Sequence, residues 1–143
     1  MNLPFQFDTS LTWSSERKGV LKSPGLKDLE VASPVEFSGH PNIWSPEHLY
    51  IAAAEVCLMT TFLAISDRAR LSFVSYSSTA SGIVEKTEEG LRVTTITIKP
   101  TVTVSSEQER EKAMKLLESS KRHCLISHSM KTEVTMEATV EVV

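Results

Sequence analysis

The sequence predicts an α+β fold in one domain spanning residues 1–143. Three observations carry that expectation. Alternating or β-branched segments occupy the start and the second half of the chain. A long apolar segment between them opens with a helix-start signature. Neither a glycine-rich phosphate loop nor a regular βαβ repeat is present.

In "LPFQFDTSLTW", Phe5, Phe7, Leu11 and Trp13 take alternate positions, the period of a half-buried strand. "ERKG" reads as a turn, and "VLKSPGLKDLEVAS" as short strand pieces broken by Pro24 and Gly25. "PVEFSGHPNIW" carries Pro34, Gly39 and Pro41 and reads as an ordered loop. Ser45-Pro46 then starts a helix, because the serine hydroxyl can accept an early helical N–H and proline suits the first helical position. Glu47 adds negative charge beside the positive end of the helix dipole. From Leu49 to Ile65 apolar residues fall on nearly every side, which predicts a central, largely buried helix. Glu55 interrupts that run and needs a partner wherever it is buried.

"LSFVSYSSTASGIVEK" and "LRVTTITIKPTVTV" are β-branched and separated by "TEEG", a hairpin signal. In "SSEQEREKAMKLLESSKRH", Ser106 with Glu109 makes a capping-box pattern, and Ala113, Leu116 and Leu117 supply an apolar stripe. "EVTMEATVEV" alternates Val134, Met136, Ala138, Val140 and Val142 with polar residues, as a half-buried strand does.

The chain is long enough to bury one substantial core, and 41% hydrophobic with 23% charged residues is ordinary globular composition. A net charge of −3 argues against a nucleic-acid partner, whose phosphates require a basic excess. "MNLPFQFDTS" has no basic region followed by an apolar one, so no signal peptide is expected. The run from Leu49 to Ser66 contains Glu55, Thr60 and Thr61 and is shorter than the roughly 20 apolar residues of a membrane span. The expectation is a cytoplasmic protein with no membrane partner. Thiols there stay reduced, so Cys57 and Cys124 read as free, redox-active or metal-bound.

A reactive thiol needs a nearby cation, a helix N-terminus or a hydrogen-bond donor to become thiolate. Cys57 has no basic neighbour on its own helix, so a cation must come from elsewhere; Arg17, Arg68, Arg70 and Arg122 are candidates. Cys124 follows Lys121, Arg122 and His123 and is flanked by His128. Two cysteines and two histidines make zinc arithmetically conceivable, but no C-x-x-C pair exists. As a group without chemistry, both thiols would be small core residues.

"SPEHLYIAAAEVCLMTTFLAI" resembles the central helix of the OsmC/Ohr family, the osmotically inducible and organic-hydroperoxide-resistance proteins, in which a P-E-x-L start leads to a reactive cysteine ten residues after the glutamate. "HCLISHSM" is similar to the family's second motif, a cysteine followed three residues on by serine. "TWSSERKG" is similar to its arginine segment, and "SPVEFSGHPNIW" to the loop entering the helix. Ser15-Glu16 stands where Ohr proteins have a double glycine, and Leu125 where a proline often follows the second cysteine, so the likeness is to the OsmC-like group. Glu16 beside Arg17 is a competing ion partner.

The resemblance implies antiparallel sheets wrapped around a central helix, an intertwined homodimer with sites at its interface, and a thiol peroxidase needing no metal, haem or flavin. Cys57 resembles the peroxidatic cysteine and Cys124 the resolving one. Arg17 and Glu47 resemble the guanidinium and carboxylate that activate the thiolate. The implied partners are an organic hydroperoxide and a dithiol reductant. Glu47 and Cys57 are ten residues apart, about 15 Å along a helix axis, so one site using both is most simply built from two chains. Trp13, Phe37, Trp44, Tyr50 and Phe62 are candidate walls of an apolar pocket. The alternative function is a non-enzymatic module of the same fold that binds a small apolar or thiol-reactive ligand.

Overall fold

The computed structural model describes residues 1–143. The chain divides into two compact units, Met1–Leu49 and Tyr50–Val143.

In the first unit, β1 (Ser10–Ser15), β2 (Lys18–Lys22) and β3 (Leu29–Ala32) form an antiparallel sheet in that order. Glu16 and Arg17 make the first turn, with Glu16 in the left-handed region at φ 50°. β1 departs from the half-buried expectation: all six residues are exposed, Leu11 at 66% and Trp13 at 72%. Phe5 and Phe7 precede any strand and are exposed as well. Alternation assigns side chains to two faces; only a covering layer buries one of them.

The loop that follows contains one 3-10 turn, Val35–Phe37. Gly39 is obligatory there, because a Cβ would fall 1.7 Å from the Ser33 carbonyl oxygen. Ser45 caps helix α1 (Pro46–Ala69) as its sequence predicts. The His48 N–H donates to Ser45 Oγ at 3.1 Å, and the Leu49 N–H to the Ser45 carbonyl at 2.9 Å.

The second unit is built on a hairpin of β4 (Ser75–Thr87) and β5 (Gly90–Val104). Helix α2 (Glu107–Arg122) begins at the Ser106 cap, whose Oγ accepts from the Glu109 N–H at 3.3 Å. The short helix α3 (Leu125–Ser129) and strands β6 (Glu133–Met136) and β7 (Thr139–Val142) complete the chain. The sheet is mixed rather than antiparallel throughout, because β6 and β7 run parallel to β5 after the helical crossover. One expected final strand is two. Pro100 of β5 has no N–H to donate, so pairing pauses opposite Glu137 and Ala138. It resumes in the same register, Ile98 with Met136 and Thr101 with Thr139.

Ile96, Ile98, Pro100, Val102 and Val104 of β5 point inward, and the intervening threonines and Lys99 point away. α1 lays Ala54, Leu58, Phe62 and Ser66, spaced by four, along this unit's core. Ala54 and Leu58 join Ile96 and Ile98, while Phe62 joins Val102, Val104, Ala113, Leu117 and Val140. Gly82 lets the helix approach β4, since a Cβ there would meet Ile51 Cδ1 at 2.5 Å. The expectation of a largely buried α1 is corrected. One stripe is covered, while Val56 is 53% and Leu63 39% exposed. A helix apolar on all sides offers more than one face, and the sheet covers one. At 24 residues and a mean hydropathy of 1.8 over its most apolar window, α1 is also long and apolar enough to cross a membrane.

Candidate functional site

Cys57 stands in the fourth turn of α1, half-buried, and Cys124 stands fully buried where α2 gives way to α3. The two thiols, 67 residues apart in sequence, are hydrogen-bonding neighbours, and both are free. Burial pushes the Cys57 thiol up. The Ile126 N–H, the Cys124 thiol, the Thr61 hydroxyl and the Leu125 N–H oppose that push and prevail, so Cys57 lies below the ordinary thiol range. Thr61 Oγ1 is 3.9 Å from Cys57 Sγ. Cys124 moves the other way. Burial raises it, a hydrogen bond from Ser127 Oγ at 3.3 Å together with the Ser127 N–H works against the rise, and the neighbouring Cys57 adds to it. The arrangement eases ionisation of one thiol and hinders that of its neighbour.

These donors were only partly legible. Sequence reasoning looked for a cation, yet the groups that lower Cys57 most are neutral. Thr61 had a signal, lying four residues after Cys57 on the same helical face. The Leu125 and Ile126 amides had none, because a backbone donor carries no residue signature. Ser127 is the serine of the second cysteine motif. No three His, Cys, Asp or Glu side chains gather around one point, so Cys57, Cys124, His123 and His128 do not form a zinc set.

Arg17 and Glu47 lie in Met1–Leu49. Arg17 Nη1 donates to the Phe37 carbonyl at 3.0 Å, and the Arg17 N–H donates to His40 Nε2 at 3.4 Å. Glu16 faces His40, with its carboxylate 3.4 Å from Nε2, and does not compete for the guanidinium. Arg17 and Glu47 form no ion pair within the chain, so the direct contact between them is not made there. Glu47 Oε1 is buried with no hydrogen-bond partner. A cavity of about 420 Å³ in this unit is walled by Leu11, Trp13, Leu21 and Val31, with Arg17 among its lining residues. Of the other aromatic candidates, Phe62 is core, packed against Phe73 and Tyr76, and Tyr50 hydrogen-bonds Thr132 at 2.8 Å. Glu55 has its partner in Ser78 Oγ at 2.5 Å. Tyr76 is pushed up to about 12 by burial and by the Glu55 carboxylate.

Residues 39–139 match the family model described as OsmC-like protein. Among solved structures, an OsmC-like protein of unknown function from Vibrio cholerae superposes with a TM-score of 0.85 at 22% identity, covering 94% of this chain and 99% of that one. An organic hydroperoxide resistance protein from Elizabethkingia anophelis gives 0.78 at 20% identity over 100% of both chains. A third, from Legionella pneumophila, gives 0.77 at 20% identity over 99% of this chain and 100% of that one. No protein of curated function matches the sequence.

Proposed function

Because the chain belongs to the OsmC-like protein family, we propose that it is a thiol-dependent peroxidase that reduces organic hydroperoxides to alcohols. One observation carries the reading: neutral donors converge on Cys57 and lower it despite burial, while its neighbour Cys124 is raised. Two of the solved structures it resembles are named as organic hydroperoxide resistance proteins, which favours that substrate class.

In this reading the Cys57 thiolate attacks the terminal peroxide oxygen. The O–O bond breaks, the alkoxide leaves and takes a proton to become the alcohol, and Cys57 becomes a sulfenic acid. The Cys124 sulfur then displaces hydroxide from that sulfenic acid; its own proton leaves with the hydroxide as water and a Cys57–Cys124 disulfide forms. A dithiol reductant returns both thiols and is itself oxidised to a disulfide. The lowering at Cys57 raises its share of nucleophilic thiolate, and the rise at Cys124 reduces its competition for peroxide.

Arg17 and Glu47 enter as the groups that orient and polarise the peroxide. An unpartnered buried carboxylate oxygen on Glu47 favours a donor brought by a second copy of the chain. The exposed Leu11 and Trp13 on β1 and the uncovered apolar residues of α1 favour the same two-fold homodimer. The chemistry suits a reducing cytoplasm, where a dithiol pool can reopen the disulfide.

The deciding experiment is consumption of cumene hydroperoxide, and separately hydrogen peroxide, with a dithiol, by wild type, Cys57→Ser and Cys124→Ser. Turnover lost in Cys57→Ser and faster on the organic substrate is the expected result. Absence of turnover by the fully reduced wild type would overturn the peroxidase and leave the ligand-binding module.

A further inference from the structure

Between the buried Cys124 and the buried Thr132 runs a segment, residues 125–130, in which no residue is fully covered. It consists of α3 and Met130, and Leu125 at its start is 68% exposed. Both ends are tied to the body of Tyr50–Val143. Thr132 Oγ1 donates to the Val93 carbonyl at 2.7 Å and accepts from the Tyr50 hydroxyl at 2.8 Å, and Met130 packs against the cluster of Ala54, Leu58, Ile96 and Ile98. At the other end Cys124 lies against Cys57.

The middle is held differently. The His128 N–H donates to the Cys124 carbonyl at 3.1 Å and the Met130 N–H to the Ser127 carbonyl at 3.2 Å. Ser129 Oγ donates to the Leu125 carbonyl at 3.0 Å, and Ser127 Oγ to Cys124 Sγ at 3.3 Å. All of these bonds stay within 124–130. The bonds that leave α3 run from the Leu125 and Ile126 amides to the Cys57 sulfur. Those are the first two amides of the helix, which find no acceptor inside it, and the N-cap residue Cys124 offers them no side-chain bond. A sulfur on α1 therefore caps α3 from outside. A thiolate is a charged acceptor, whereas a disulfide sulfur is neutral and accepts weakly.

We infer that residues 125–130 form a redox-released strap: the reduced Cys57 sulfur fastens α3, and closure of a Cys57–Cys124 disulfide unfastens it while both ends stay tied. The inference rests on the pairing of the two thiols in the peroxidase reading and not on peroxide turnover, so any two-electron thiol oxidant serves to test it. With diamide, the Cys57 thiolate adds to one azo nitrogen, and the Cys124 sulfur then displaces that nitrogen as the S–S bond forms. The azo group has taken two electrons and two protons and leaves as the hydrazine.

The test is peptide-resolved hydrogen exchange on reduced wild type and on diamide-oxidised wild type, with the disulfide verified by mass. Exchange across 125–130 is expected to be about tenfold faster after oxidation, as the loss of a hydrogen bond to a charged acceptor requires, while β5 is unchanged. Reduced Cys57→Ala removes the sulfur without making a disulfide. It should exchange at 125–130 at the oxidised rate and be indifferent to diamide, with protection of β5 showing that it is folded.

Equal or slower exchange at 125–130 after oxidation would overturn the inference, and so would an acceleration shared equally by β5. Reduced-state protection that survives Cys57→Ala would take the sulfur out of the role, and a pair that diamide does not close would remove the switch. If Cys57→Ala failed to fold, the two states of the wild type would decide alone. A strap that answers to diamide in a protein that consumes no hydroperoxide keeps this inference and loses the peroxidase.

Discussion

Cys57 and Cys124 are the same residue, placed side by side, and the structure drives them apart. Both are penalised by burial. Cys57 outweighs the penalty because two backbone amides, a hydroxyl and a thiol aim at one sulfur. Cys124 has Ser127 alone working for it and the charge of Cys57 working against it. Burial weighs on both thiols and more fully on Cys124, and at Cys57 the count and aim of donors reverse its effect. The sharper lesson is asymmetry. On the proposed chemistry, a pair that passes through sulfenic acid to disulfide needs one nucleophile and one reserve; the short helix α3 carries donors for Cys57, while Cys124 closes its N-terminal end.

The largest effect that would break this contrast is the serine exchange. Cys57→Ser is expected to lower peroxide consumption on the order of a thousandfold or more, because a serine hydroxyl is not ionised near neutral pH. Cys124→Ser should still consume about one equivalent of peroxide, leaving a sulfenic acid on Cys57 that dimedone traps for mass spectrometry. Equal losses in both variants would make the cysteines equivalent and dissolve the comparison.

Next in size is the pH dependence of alkylation. A lowered pKa means more thiolate at a given pH, so iodoacetamide should modify Cys57 about tenfold faster than Cys124 near pH 7, with the rate at Cys57 half-maximal below the ordinary thiol range of about 8.5. The rate at Cys124 should become half-maximal above that range, and Cys57→Ser should bring it down by removing the adjacent charge. A single common half-point in peptide-resolved mass spectrometry would count against the assignment.

Much of the framework behind this contrast was readable in the residues, and the reason is locality. The Ser45 and Ser106 caps, the β4–β5 hairpin and the inward alternation of β5 each depend on neighbours within a few positions. What depends on partners distant in sequence was not readable. β1 has the alternation of a half-buried strand yet is exposed at every position, and α1 has apolar residues on all sides yet buries one stripe. In both cases the pattern records that cover is wanted and not where it comes from. Pro100 could have signalled the split between β6 and β7, but only once their register against β5 was known. At the site, the resemblance pointed to Cys57 and Cys124, while the Leu125 and Ile126 amides were invisible because every residue except proline has one.

The smallest predicted effects test the donors singly. Thr61→Val keeps the shape of the side chain and removes its hydroxyl, which at 3.9 Å is a long contact to sulfur. Alkylation of Cys57 near pH 7 should slow about two- to fivefold, less than a full charge-assisted hydrogen bond would cost. Ser127→Ala acts on the other thiol. It removes a donor that lowers Cys124, so Cys124 should rise further and alkylate more slowly, while Cys57 keeps its own donors. The two variants thus move the two sulfurs separately, each toward the protonated state. If Thr61→Val slowed both cysteines equally, the hydroxyl would be acting through packing at the α1–α3 contact rather than through the sulfur it faces. A loss confined to Cys57, with Tm unchanged, is the result that a directed hydrogen bond requires.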